Sequence, residues 1–184
     1  LKMKLPVIET KRLLLTHLEL SDAERIFSGW TSDERVTKFM TYSTHKTVEE
    51  TKEWLKTVIE RTENESARSV EVGFRIKESG MLIGSSGAYY KPEYDRWSLG
   101  YNLAFDYWHQ GYTSEAMKAL TERLNEMGIK KFISAHAVDN PNSGRVMEKI
   151  GMKFDHMGSY TCHDGREFEA NFFFMDIKNK LSIK

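Results

Sequence analysis

Trp108-His109-Gln110-Gly111-Tyr112-Thr113-Ser114-Glu115-Ala116 stands where a strand-like run ends and an amphipathic helix begins. Upstream, Trp97 to Leu103 (WSLGYNL) alternates apolar with small or polar residues. Downstream, Ala116, Leu120, Leu124 and Met127 recur at spacings of four, four and three, so one helix face is apolar. Gly111 permits a tight turn between the two elements. The first N–H groups of the helix that follows have no partner within it and, aided by the helix dipole, attract phosphate oxygens. The stretch therefore reads as an anion cradle for a phosphate-bearing cofactor, although similar turns precede helices in folds that bind nothing.

Three strands lead up to the cradle. Glu71 to Ile76 and Met81 to Tyr89 read as a hairpin across Lys77-Glu78-Ser79-Gly80, and Lys91 to Asp95 joins it to Trp97–Leu103, which predicts an antiparallel meander. Earlier, Arg12 to His17 suits a first strand. Ser21-Asp22-Ala23-Glu24 fits the capping-box pattern of a helix start, and Thr47-Val48-Glu49-Glu50 opens a longer helix reaching about Arg61. After the cradle helix, Gly128 stands just past its end, Phe132 to Val138 makes a strand, and Asn140-Pro141 starts a short helix that Gly151 closes. Phe154 to Cys162 and Phe168 to Ile177 finish as strands around an Asp164-Gly165 turn. Strands grouped ahead of a crossover helix predict an α/β chain of the α+β kind, with a mixed, mostly antiparallel sheet of about six to seven strands and helices on both faces.

At 184 residues the chain suits a single domain over residues 1–184, with no repeat or long linker. Lys and Arg number 27 against 27 for Asp and Glu, which argues against a polyanion-binding surface and so against nucleic acid as a partner. No apolar run reaches membrane-spanning length, and LKMKLPVIETKR at the start lacks a signal-peptide core; the expected location is cytoplasmic, with no membrane partner. A single cysteine, Cys162, excludes an internal disulfide and a cysteine-cluster metal site. His17, His45, His109, His156 and His163 show no metal-ligand spacing, and no metal is expected.

Two segments together resemble the GCN5-related N-acetyltransferases, the GNAT superfamily, and in particular the branch related to the ribosomal-protein acetyltransferases RimJ and RimL. Gly100 to Ala116, GYNLAFDYWHQGYTSEA, is similar to the family's acetyl-CoA motif Q/R-x-x-G-x-G/A, often WGKGYATEA in this branch. Asp139 to Phe154, DNPNSGRVMEKIGMKF, is similar to the family's N-x-x-S-x-R-V-x-E-K-x-G-F. With TKRLLL near the start and HDGREFE in the last hairpin, the resemblance covers nearly the whole chain. It implies a GNAT fold whose sheet splays between its fourth and fifth strands. It also implies an N-acetyltransferase that uses acetyl-CoA as co-substrate and acetylates a primary amine, either a protein N-terminal α-amine or a small molecule, by general-base-assisted attack with no covalent enzyme intermediate. The loop His109 to Ser114, chiefly the backbone amides of Gln110, Gly111, Tyr112, Thr113 and Ser114, would hold the CoA pyrophosphate. Asn102, Leu103 and Ala104 would pair with the pantetheine amides as an added strand does. Asn140 and Ser143 fall on the family's N-x-x-S, with Asn140 capping its helix, contacting the pantetheine arm, or both. The resemblance also allows a homodimer.

Amine acylation needs a proton acceptor, because a lysine-type amine with a pKa near 10.4 is charged at neutral pH. Many family members supply a glutamate within E-I-G-Y, whereas this chain has Ser98-Leu99-Gly100-Tyr101, with Ser98 in the glutamate's place. The family's tyrosine acid in L-Y-x-K-x-G-F is replaced by Met147, which cannot donate a proton, and Trp108 and Thr113 also depart from the general acetyl-CoA motif. The remaining catalytic candidates are His136, Tyr101 and Ser98, with Glu93 in the preceding loop. His136 is the best chemical match, since histidine is the usual acid–base side chain at neutral pH, but it equally suits a buried core position. Ser143 serves either as proton donor to the leaving thiolate or as a helix-start residue. The missing glutamate and tyrosine leave one rival open, a non-catalytic acyl-CoA-binding module. The identity of the acceptor is not encoded in any motif.

Overall fold

A computed structural model describes residues 4–178. Its sheet has eight strands, β1 (Ile8–Glu9), β2 (Leu13–Thr16), β3 (Ser69–Ile76), β4 (Leu82–Lys91), β5 (Arg96–Leu103), β6 (Lys131–Ala137), β7 (Lys153–Thr161) and β8 (Glu167–Asp176), in the order β1-β2-β3-β4-β5-β6-β8-β7. Every neighbouring pair is antiparallel except β5 and β6. The sheet thus exceeds the expected six to seven strands. The extra one is β1, whose two residues pair with Leu15 and Leu14 and are too few to show any alternation in sequence.

Five helices cover the sheet: α1 (Ala23–Ile26), which runs on through a wider turn to Thr31, α2 (Glu34–Thr37), α3 (Val48–Glu63), α4 (Tyr112–Glu126) and α5 (Pro141–Lys149). The cap expected at Ser21 lies two residues earlier. Glu19 heads a 3-10 turn over Leu20–Asp22 that runs directly into α1. The reason is Asp22, whose carboxylate accepts the Glu19 N–H at 2.9 Å and two contacts from Arg75 of β3 at 2.7 and 2.8 Å, so it is committed to the sheet. The Thr47–Glu50 capping box is present as expected, and the helix it opens runs past Arg61 to Glu63.

Alternation along β3 divides the layers. Val70, Val72 and Phe74 are buried in one core with Met117, Leu120 and Leu124 of α4 and Met147 of α5. Gly73 on the other face meets Leu18 and Leu82, which belong to a second core with Ile26 and Trp30 around α1 and Leu55 of α3. Burying each such side chain is worth about 1.5–3 kcal/mol, so the two cores hold helices on both faces of the sheet.

Trp97↔Phe132 and Ser98↔Ile133 are the backbone pairs that join β5 to β6, with Ser134 Oγ donating to the Leu99 carbonyl at 2.9 Å just beyond them. Beyond Ser98 the two parallel strands part, the splay expected between the fourth and fifth strands of the sequence-read sheet. Among the described residues no helix is long and apolar enough to cross a membrane.

Candidate active site

Gly111 takes φ +80°, the left-handed conformation that glycine adopts freely, and it is the residue from which α4 starts. No side chain caps that start, so the first-turn N–H groups of α4 face outward. The loop is fastened from β2's side of the sheet. The Glu115 carboxylate accepts Thr10 Oγ1 at 2.7 Å, Arg12 N at 2.8 Å and Arg12 Nε at 2.7 Å. Arg12 also donates to the Gln110 carbonyl at 3.0 Å and lies 4.1 Å from the centre of the Tyr112 ring. Burial works to raise the Glu115 pKa, but the bonds from Thr10 and Arg12 outweigh it and hold it below the usual carboxylate value, so the residue stays charged. TKRLLL, at first only a strand signal, thus supplies the brace of the cradle.

A cleft of about 390 Å³ runs from this turn to the opening between β5 and β6. Of the residues expected to hold a cofactor, Asn102, Leu103, His109, Gly111, Tyr112, Thr113, Ser114, Asn140 and Ser143 line it. Gln110 does not; its side chain turns back to donate to the Asp106 carbonyl. Ala104 is buried, its N–H donating to Ile83 and its C=O accepting from Tyr107. Because hydrogen-bonding direction alternates along an antiparallel strand, Asn102 directs its backbone groups to β4 as Ala104 directs its N–H, and Tyr101 and Leu103 direct theirs to the splay. Asn140 occupies the cap position before Pro141, yet its side chain makes no cap hydrogen bond.

The catalytic candidates fall in different places. The Tyr101 hydroxyl stands 2.9 Å from the Ser143 carbonyl, to which it donates, and 2.9 Å from Ser143 Oγ, bridging β5 to α5 at the cleft. Burial pushes the Tyr101 pKa well above its ordinary value, so the phenol keeps its proton. Ser98 lies where β5 is still paired to β6, one face away from Tyr101. His136 is buried under α5, its Nδ1 2.7 Å from the Ala137 carbonyl and its Nε2 2.6 Å from where a Cβ on Gly144 would be. Glu93 sits in the exposed turn between β4 and β5.

Across the sheet from Tyr101 is a group the sequence reading overlooked. Glu71 of β3 pairs with Gly87 of β4, which pairs with Gly100 of β5. Its carboxylate fills the space that a Cβ on Gly87 would take. Burial pushes its pKa up to about 7, with Arg61 and Ser85 pulling the other way. In sequence Glu71 alternates with Val70 and Val72 and reads as a solvent-facing strand residue; the packing of α3 over β3 leaves it half-buried.

The profile of the acetyltransferase (GNAT) domain matches residues 12–153. The chain is 24% identical over 169 residues to YoaA of Bacillus subtilis, described as an uncharacterized N-acetyltransferase, with 90% of this chain and 94% of YoaA covered. It superposes on a GNAT-family acetyltransferase from Bacillus anthracis with a TM-score of 0.74 at 25% identity, covering 94% and 98% of the two chains. It also superposes on RimL, a ribosomal L7/L12 α-N-protein acetyltransferase solved in complex with coenzyme A, with a TM-score of 0.78 at 16% identity and 94% and 98% coverage. The chain belongs to the GNAT family of N-acetyltransferases.

Proposed function

We propose that this protein transfers the acetyl group of acetyl-CoA directly to a primary amine, a protein N-terminal α-amine or a small-molecule amine, without a covalent enzyme intermediate. One observation carries the reading: the β5–β6 gap opens beside the uncapped start of α4, so a single cleft offers an anion site at one end and free strand edge at the other.

The residues present suit this co-substrate. The α4 N–H groups after Gly111 suit a pyrophosphate, and the backbone groups of Tyr101 and the N–H of Leu103 suit the amides of an extended arm, the Leu103 carbonyl being taken by Trp108 Nε1 at 2.7 Å. Asn140, uncommitted as a cap, has its side chain available to the same arm. Bound there, acetyl-CoA supplies an acyl group activated as a thioester. Tyr101, kept protonated by burial and hydrogen-bonded to Ser143, is placed to pass a proton to the departing sulfur. The likeness to RimL supports the acceptor class, since RimL is described as acting on the N-terminus of ribosomal protein L7/L12.

The test joins calorimetry with CoA and acetyl-CoA to thiol release from acetyl-CoA in the presence of N-terminal peptides, polyamines and aminoglycosides. Micromolar binding and amine-dependent thiol release are expected. Absence of heat with either thioester or thiol, on folded protein, overturns the reading.

A further inference from the structure

We propose that Glu71 is the proton acceptor for the amine, and that the acceptor reaches the thioester as a cation over the bare strand at Gly100, beside the Glu71 carboxylate that lies on Gly87. The inference rests on the acetyl-transfer reading above and adds to it the residue and the charge of the acceptor.

This approach is built by the register. Glu71, Gly87 and Gly100 are consecutive rungs on the face of the sheet opposite Tyr101, one strand apart, or about 4.8 Å per step. The Glu71 carboxylate lies on Gly87, and a Cβ at Gly100 would meet no atom within 4 Å, so the space over β5 is open. Gly100 is also just past Ser98, the last residue of β5 paired to β6, so the open space abuts the splay. One end of this space is closed by Tyr42, whose hydroxyl donates to Asn102 Oδ1 at 2.6 Å and whose ring lies 6.5 Å from that of Trp54. The other end, toward Tyr89, is exposed.

Glu71 is half-buried, and its carboxylate has no salt bridge among the described residues. Among the described residues no Lys, Arg or His lies within ion-pair distance of it, and the Ser85 hydroxyl approaches it short of hydrogen-bond geometry. Arg61 of α3 pulls on it from a distance, and Tyr42 faces it with a neutral phenol. The cavity on its far side also holds Lys4, His17, Glu19, Asp22, Glu63 and Arg75. Arg75 there is committed to Asp22 at 2.7 Å, and His17 Nε2 to the Leu5 carbonyl at 2.9 Å. A half-buried carboxylate that lies over Gly87 without an ion-pair partner favours a cation delivered by a ligand, and its raised pKa of about 7 matches a base at neutral pH.

The step balances without a further reactant. The ammonium gives one proton to Glu71; the freed lone pair forms the C–N bond as the C–S bond breaks. The sulfur takes a proton through the Tyr101–Ser143 hydroxyls, replaced by the second amine proton, and Glu71 returns its own to solvent.

Two variants test this, each assayed for CoA binding by calorimetry and for kinetics with the best acceptor from a panel of an N-terminal peptide, spermidine and an aminoglycoside. Glu71→Gln keeps shape and removes the base. CoA affinity should stay within about threefold, kcat/KM should fall roughly 100-fold or more, in the range of general-base effects, and the rising limb of the pH profile near neutrality should vanish. Glu71→Asp should restore part of the rate. Gly100→Val adds a side chain where nothing obstructs it and should raise the acceptor KM at least about tenfold, with CoA affinity and melting temperature unchanged. Unchanged kcat/KM and pH profile in Glu71→Gln, or an unchanged acceptor KM in Gly100→Val, overturns the proposal while leaving acetyl transfer intact. Wild-type protein that binds CoA yet releases no thiol with any amine overturns both.

Discussion

The two faces of β5 differ in kind. On the face of Tyr101, the groups that do work are backbone amides, a left-handed glycine and a hydroxyl pair, all fastened by local or braced contacts such as Arg12–Glu115. On the opposite face, Gly100 exposes bare strand and a lone carboxylate, Glu71, reaches over Gly87 from the adjacent strand. One face offers main-chain groups and the other offers space and charge. Under the proposed function, co-substrate and acceptor recognition are separated by a single strand, so either can change without disturbing the other.

Gly111→Val gives the largest effect, because a β-branched residue at φ +80° is strained and the α4 start must move. CoA affinity measured by calorimetry should fall by roughly 100-fold or more, since a loss of about 2–3 kcal/mol corresponds to that factor. An acceptor-side change such as Gly100→Val should leave it alone, and a variant pair that fails to separate in this way breaks the comparison. Tyr101→Phe comes next: kcat should drop by roughly 10- to 100-fold, with CoA affinity changed little, if the phenol supplies the thiolate proton. A burst of product in stopped-flow that survives the substitution would reassign that proton to Ser143 or solvent.

A third measurement reads Glu71 through stability instead of rate. Its folded pKa of about 7 lies above the ordinary value of 4.5, so its contribution is present in full below the lower value and is lost as pH rises through the upper one. Between about pH 5 and about pH 8 the melting temperature of the wild type should therefore fall relative to that of Glu71→Gln, by calorimetric scan. Parallel curves would mean that Glu71 titrates normally. The smallest effect belongs to Thr47→Ala, which removes the α3 cap bond to Glu50 N; a loss of about 1 kcal/mol, or roughly 2–4 °C, is expected, with CoA binding unaffected.

Local signals carried most of the architecture. Seven of the strands, the Thr47 box and the Asn140-Pro141 helix start each rest on periodicity or capping chemistry contained within a few residues, and each occupies nearly the expected span. The misplaced cap at Ser21 shows the limit of such signals, because Asp22 is drawn to Arg75, 53 residues away in the chain. The same limit hid Glu71. A charged residue alternating with valines looks solvated until a helix from elsewhere in the chain lies across it. Tyr101 and Ser143 were both visible as candidates, but that their hydroxyls meet at 2.9 Å depends on α5 docking beside β5.

What the amino-acid order determined by itself was the cradle: Gly111 can adopt a left-handed turn, and the N–H groups behind it are unpaired by the geometry of any helix. The tertiary structure alone decided where β6 leaves β5, which hydroxyls face the opening and which carboxylate lies over Gly87. Those depend on register and on layers packing across distant segments, and a strand's alternation states that two faces exist without stating what covers either one.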